Sequence, residues 1–355
     1  MIFKIYFIMK QSILIVISFF ILTVYAKAQT YNRSNAYRIM FYNCENFFDV
    51  YDDSLKLDDQ FTPNGMKHWT ERKYWTKVYH IAKVIIAVGG FYPPDIVGLC
   101  EVENRYVLED LIYRSPISKF KYKIIHYESP DRRGIDVAML YLPKRFVPDT
   151  SMPIRVIFPE KGGRPTRDIL YVKGRLSSGD TLHIFINHWP SRFGGHLETD
   201  PKRLFVAQLL RKKLDSIFLL NPRANIVIMG DLNDFPTDIS LIKGLRARVS
   251  FEKIIPNDIY NLSYYLQEEK GKFTHRFHGE SGILDQIIVS GALLEKKGNL
   301  YTTLENVDVF SSPFLLEKDP DYPGFRTYRT YIGMKYHGGY SDHLPVYLDL
   351  LVKQK

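Results

Sequence analysis

Six apolar stretches of this sequence stop, or start, on a carboxylate, an amide or an imidazole. Asn43 closes "RIMFYN", Glu101 closes "IVGLCE", His188 closes "TLHIFINH", and Asp231 with Asn233 follows "NIVIMG". Asp285 opens "DQIIVS", and Asp342 with His343 stands just before "LPVYLDLLV". At any single position a solvated turn is the plain reading, because Asp and Asn bond their own backbone in turns. Six independent turns are a poor explanation of six such edges. Functional groups gather on loops held by a rigid scaffold, so the recurrence predicts strand ends converging on one rim.

The residue types narrow the chemistry. The sequence has no Cys/His set at zinc spacing, no Gly-rich phosphate loop and no Gly-x-Ser-x-Gly elbow. Glu, Asp and Asn oxygens are hard ligands suited to Mg2+, with Mn2+ and Ca2+ as alternatives. The two histidines, each able to pair with a carboxylate, supply acid–base groups near neutral pH. A hard cation beside His/Asp pairs, without a nucleophilic side chain, points to metal-assisted hydrolysis of a phosphate ester.

The positioning elements alternate along the chain. Residues 37–49 read as a strand, and Thr70 can cap a helix with an apolar stripe of Tyr74, Val78, Ile81, Ile85 and Val88, stopped by Gly89-Gly90. A short helix follows in "VLEDLIYR", then strands "KYKIIHYE", "IDVAMLYL", "RDILYVKGRL" and "TLHIFINHWP". Asp200-Pro201 is expected to open a second long helix through Leu204, Ala207, Leu210, Leu214 and Ile217, and a weaker helix is expected near "TDISLIKGL". Two long helices beside about ten strands predict an α/β fold of two packed sheets with outer helices. The region 311–340 is aromatic and basic without a clear period.

The 355 residues carry a formal charge of +9. The first thirty combine Lys4 and Lys10, an apolar run from Ile13 to Val24, and Ala26-Lys27-Ala28. That pattern reads as a secretory signal peptide cleaved after Ala28, since the run falls short of the ~20 residues of a spanning helix. An exported, secreted or periplasmic monomer without stable membrane insertion is expected, its domain covering residues 30–355. Cys44 and Cys100 are the only cysteines, too few to build the fold, and read as buried thiols rather than a bridge.

The segments "FYNCENFFD", "GLCEVEN", "RRGIDVAMLY", "TRDILYV", "INHWPSRFGG", "MGDLNDFP", "LDQIIVS" and "YSDHLPV" occur in that order. Together they resemble the endonuclease/exonuclease/phosphatase superfamily with its deoxyribonuclease-I-like fold, and within it bacterial secreted or surface nucleases of the mycoplasma membrane-nuclease kind. The resemblance implies a four-layered α/β sandwich with the site at one rim, and a divalent-metal-dependent phosphodiesterase, a nuclease acting on DNA or RNA. Asn43 and Glu101 would hold the metal, completed by Asp342. Asp231 and Asn233 would sit at the scissile phosphate, with Arg167 pairing with one of its oxygens; two apart on an extended chain, Asp231 and Asn233 are expected to face it together, with Leu232 turned into the core. Asp285 would orient His343, and Asp136 would orient His188, with Glu128 as the rival for that role.

Other polar residues read as structural. Glu103 and Asp234 are assigned to loops or support, His183 to packing or exposure, His275, His278 and His337 to loops, and Arg132 and Arg133 to a solvated turn, with substrate contact as the alternative. Arg326, Arg329 and Lys335 among the tyrosines of 321–340 suit either packing or contact with bases and phosphates. The same fold could serve phospholipid or inositol-phosphate hydrolysis, or persist as an inactive binding module; the completeness of the residue set argues against the last.

Overall fold

The computed structural model describes residues 35–159, 164–192 and 194–353. The chain divides into two units, Met1–Ala36 and Tyr37–Lys355, and the fold below is that of the second. The expected leader, 1–28, lies outside the described residues.

The long strands come first: β1 (Ala36–Phe47), β2 (Ile96–Val102), β3 (Lys123–His126), β4 (Asp136–Tyr141), β5 (Phe146–Ile154), β6 (Ile169–Leu176), β7 (Thr181–His188) and β8 (Ile226–Asp231). Then follow β9 (Ala247–Arg248), β10 (Ile259–Asn261), β11 (His275–Phe277), β12 (Glu280–Gly282) and β13 (Asp285–Ser290). The last are β14 (Leu300–Tyr301), β15 (Val307–Val309), β16 (Leu316–Lys318), β17 (Phe325–Thr327), β18 (Tyr331–Ile332), β19 (Lys335–Tyr336) and β20 (Val346–Val352). One large sheet has the order β14-β20-β1-β2-β4-β3 with β15 also on β20, and the other β5-β6-β7-β8-β13-β10-β9. Both are mainly antiparallel, with parallel pairs β1–β2, β7–β8 and β9–β10.

Alternation along the strands builds the layers. Val227 and Met229 of β8, Ile184 and Ile186 of β7, and Ile287 and Val289 of β13 join the core that also holds the first sheet. Ile226, Ile228, Phe185 and Ile288 face the other way, against Val206, Ala207, Leu210 and Leu214 of helix α3 (His196–Leu220). Gly98 of β2 lets the sheets close up, because a Cβ there would lie 2.8 Å from Met229 Cε. Helices α1 (Glu71–Gly89) and α2 (Arg105–Arg114) pack on the first sheet, where Phe47 stacks on Tyr74 with ring centroids 6.3 Å apart.

α1 follows Thr70 and ends as expected, with Gly90 at φ 67° donating its N–H to Ile86 O. α3 begins at His196, before the expected Asp200-Pro201, and carries Pro201 inside it. Side chains stabilise that early turn: Thr199 Oγ1 donates to Gly195 O at 2.8 Å, and Arg203 donates to His196 O at 3.2 Å. The weak helix is a single π-helical turn, Ser240–Leu245. The region 311–340 resolves into the ribbons β16–β17 and β18–β19. Cys44 and Cys100 are free and buried. Among the described residues no helix is long and apolar enough to cross a membrane.

Candidate active site

The second sheet sets three polar side chains on one rung. His188 pairs in register with Asp231, and Asp231 with Asp285. Residues in register on neighbouring strands point to the same side. Asp231 continues the alternation of Val227 and Met229, and Asp285 that of Ile287 and Val289, so both project from the inter-sheet face where it reaches the rim. Gly230 lets β7 and β8 pair this closely, since a Cβ there would lie 2.4 Å from Asn187 O. Asn43 meets the rung from the first sheet, its Nδ2 donating to Asp231 Oδ2 at 3.1 Å.

Irregular backbone brings in the remaining groups. Glu101 is the extra residue of a bulge between Cys100 and Val102, with φ 56°, a conformation that costs a non-glycine residue about 1–2 kcal/mol. Its Oε2 accepts the N–H of Asn46 at 2.8 Å, and its Oε1 lies 3.8 Å from His188 Nε2. After β8 the chain turns instead of staying extended. Asn233 has φ 52°, its N–H donates to Asp231 Oδ1 at 3.0 Å, and its Nδ2 donates to Trp189 O at 3.0 Å. Leu232 between them is buried against the α3 layer. Asp234 fixes the same loop through its fully buried ion pair with Arg203 Nε at 2.6 Å.

Glu101, His188, Asp231, Asn233, Asp342 and His343 line one cavity of about 310 Å³, with Asn43 and Asp285 directly behind them. His343 Nδ1 lies 2.6 Å from Asp285 Oδ2, while its Nε2 is 3.9 Å from Asp231 Oδ2 and 4.0 Å from Asp342 Oδ1. Burial alone would lower the pKa of His343, but Asp285 and Asp231 hold it well above the ordinary value. Asp231 is pushed up to about 7 by burial, with Asp285 and Glu101 adding to it. His188 is pushed well below its usual value, by burial and then by Arg167 and Arg133. Its Nδ1 is buried without a partner among the described residues, as is Asp285 Oδ1.

Two assignments made from the sequence are not borne out. Asp136 does not orient His188: its Oδ2 lies 3.1 Å from His126 Nε2 and its Oδ1 accepts the Ser129 N–H at 2.8 Å. It sits beside Val102 in the first sheet, across from the rung. Glu128 points to Lys56, 4.0 Å away, and does not reach His188 either. Arg167 stands one step behind the cavity wall, donating to Asp131 Oδ2 at 3.1 Å and to Trp189 O. The arginines of the aromatic region are likewise engaged. Arg326 bonds Glu317 at 2.8 Å, and Arg329 holds Asp342 at 2.9 Å.

Other residues enter the cavity that the sequence did not single out. Arg192 and Phe235 line it together, the guanidinium 4.2 Å from the ring centroid, and Phe277 completes its edge beside Arg133, the one turn arginine that reaches it. His275, read as a loop histidine, lines it with its ring centroid 4.8 Å from that of His343. No local pattern distinguishes His275 from the neighbouring His278; only the bridge between His275 and His343 brings it in.

The donors suit a hard divalent cation. Carboxylate and imidazole ligand atoms of Asp231, Asp285 and His343, and of His275, Asp342 and His343, lie within 4.8 Å of one another. Buried carboxylates raise one another's pKa here, a repulsion that a bound cation relieves.

Residues 38–352 match the Endonuclease/Exonuclease/phosphatase family. The chain therefore belongs to that family, whose members are phosphoric ester hydrolases that use divalent metals. Solved structures of the same fold include truncated Caenorhabditis elegans TDP2, at 20% identity and TM-score 0.52, covering 89% of this chain and 98% of that one. The human Nocturnin catalytic domain is 17% identical with TM-score 0.51, over 90% and 95% of the two chains. A family protein from Bacteroides thetaiotaomicron is 15% identical with TM-score 0.54, over 90% and 99%. No curated protein matches the chain in sequence.

Proposed function

We propose that this chain is an exported, metal-dependent phosphodiesterase, and specifically a nuclease hydrolysing DNA or RNA. The observation that carries the reading is the rung of His188, Asp231 and Asp285, faced by Asn43 and joined to His343 at one open rim. In the reaction a water oxygen attacks phosphorus, and the proton it loses passes to Asp231. The bond from phosphorus to the leaving oxygen breaks, and His343, held by Asp285, protonates that oxygen. Asn233 and His188 orient the phosphate. Such positioned acid–base groups are each worth about 10²–10⁴-fold. Asn43, Glu101 and Asp342 would hold the cation, which supplies charge neutralisation at the phosphoryl group. The mature chain, without Lys4, Lys10 and Lys27, keeps a formal charge of +6 (9 − 3), which favours a polyanionic substrate.

The test is hydrolysis of plasmid DNA, RNA and sphingomyelin by the same preparation, after chelation and after return of Mg2+, Mn2+ or Ca2+. Cation-dependent cleavage of nucleic acid is expected. Cleavage of sphingomyelin alone would sink the nuclease reading, and no cleavage of any substrate would leave a binding module. Export predicts a mature chain beginning at Gln29, read by N-terminal sequencing.

A further inference from the structure

A second recess adjoins the cavity and has no part in the chemistry above. It encloses about 480 Å³ and shares Arg133 and Ser191 with the first. Its walls carry Arg132, Arg133, Arg164, Arg167 and Lys202 against one carboxylate, Asp131. That carboxylate is already occupied, paired with Arg133 at 3.3 Å and Arg167 at 3.1 Å. Among the described residues none forms an ion pair with Arg132, Arg164 or Lys202, and all three are exposed. At the wall Arg167 is only 5% exposed, and its Nε has no hydrogen-bond partner among the described residues. Isolated surface lysines and arginines are ordinarily just solvated. Five cations around one recess, one of them buried and incompletely bonded, form an electrostatic demand that solvent meets poorly and an anion meets well.

We propose that this recess is a second phosphate subsite, which seats a phosphate of a nucleic-acid strand flanking the one in the catalytic cavity. The inference rests on the phosphodiesterase reading for the identity of its substrate. The contiguity at Arg133 and Ser191 is what selects a strand. A polynucleotide carries phosphates at short, regular intervals and can thread from one recess into the next. A bilayer presents its headgroups in a plane and cannot follow that path. The enzyme would thus favour substrates extending beyond the scissile bond over isolated diesters.

The test uses the full chain with Arg132→Ala, Arg164→Ala and Lys202→Ala combined, all exposed positions outside the catalytic cavity. Binding of a short fluorescent single-stranded oligonucleotide is measured by anisotropy across a salt series, without turnover. Affinity is expected to fall at least about 10-fold, and the slope of log K against log salt to flatten by about 0.7 for each phosphate the variant no longer neutralises. Hydrolysis of the oligonucleotide should fall further than that of bis(p-nitrophenyl) phosphate, which has no flanking phosphate. Exchanging the same positions for the other basic residue (Arg132→Lys, Arg164→Lys, Lys202→Arg) should restore most of the affinity. Unchanged oligonucleotide affinity and salt slope would overturn the subsite. So would a loss confined to binding of phosphatidylglycerol vesicles. If the parent protein hydrolyses no diester while the variant still binds the oligonucleotide more weakly, the hydrolytic reading fails and the subsite stands.

Discussion

Two strands of this protein open on an aspartate that grips a histidine, and only one of the pairs belongs to the cavity. At the start of β13, Asp285 lies 2.6 Å from His343 Nδ1; at the start of β4, Asp136 lies 3.1 Å from His126 Nε2. All four side chains are buried. The difference lies in their company. Asp285 shares a rung with Asp231 and His188, and His343 presents its second nitrogen to a cavity. Asp136 completes its bonding with the Ser129 backbone and sits in the other sheet. A His–Asp pair is therefore a way of burying two polar groups as readily as a way of moving a proton. What separates the two uses is convergence with other unsatisfied groups.

That contrast can be broken most directly at the histidines. His343→Ala is expected to lower kcat by about 10²–10⁴-fold, and it also lowers the thermal midpoint, because it leaves the buried Asp285 without its partner. Asp136→Asn is expected to lose stability alone. It strips a buried pair of its charge and should cost about 1–3 kcal/mol in urea unfolding, with kcat within a few-fold of the parent. If both variants lose activity alike, the two pairs are not distinct in function and the comparison fails.

Asp231→Asn sharpens the same point at the centre of the rung. Its carboxylate accepts from Asn43 and from the Asn233 N–H, so an amide keeps one acceptor and turns a donor toward another donor. That loss opposes the relief of removing a charge whose pKa burial has pushed up to about 7. Near-parental stability is expected, with activity reduced about 10²-fold or more. A smaller effect is expected from Arg329→Ala, about 10-fold in kcat, because it frees Asp342 from the ion pair that positions it. Arg326→Ala breaks a partly exposed pair with Glu317 and should change stability by no more than about 1 kcal/mol and hydrolysis hardly at all. Equal losses in the two arginine variants would return the aromatic region to the role of substrate contact.

The strand ends are legible in the sequence because alternation and punctuation are local. Val227, Met229 and Asp231 share a face by period alone, but the turn that puts Asn233 at φ 52° breaks the extended spacing expected between it and Asp231. Partnerships across layers are not legible. Nothing near Asp136 reveals that His126, ten residues earlier, lies beside it while His188 lies across the sandwich. His275 enters the cavity through a bridge to a residue 68 positions away (343 − 275), and Arg329 reaches Asp342 through the fold of a ribbon. Helix α3 begins early because Arg203 and Thr199 bond its first carbonyls, an effect that capping patterns do not contain. Gln286 is adjacent to Asp285 in sequence, yet it is fully buried, bonding Asn261 and the Asp234 carbonyl.

Two histidines of a single strand differ in a comparable way. β7 carries His183 near one end and His188 at the other, and their opposite parity sends them to opposite faces. His183 lies under the α3 layer with Tyr171 OH 2.8 Å from its Nδ1, whereas His188 Nδ1 has no partner among the described residues. Burial, aided by Lys173 and Lys213, lowers the pKa of His183 to about 4, against about 6.5 in an unfolded chain. The folded state thus disfavours the protonated ring. Its contribution is complete above about pH 6.5 and is lost as pH falls toward 4, with a ceiling of about 3 kcal/mol by linkage. His80, His188 and His275 are also lowered by burial, so acid should destabilise the parent steeply. His183→Phe keeps the ring, loses the hydrogen bond to Tyr171 at a cost of about 1 kcal/mol at pH 7, and takes up no proton on unfolding. Urea unfolding at pH 7, 5.5 and 4.5 should therefore show the variant losing less stability with acid than the parent, by about one proton's share of the slope. Parallel slopes would mean that His183 already titrates freely in the folded protein, and that its partnered nitrogen marks no difference from His188.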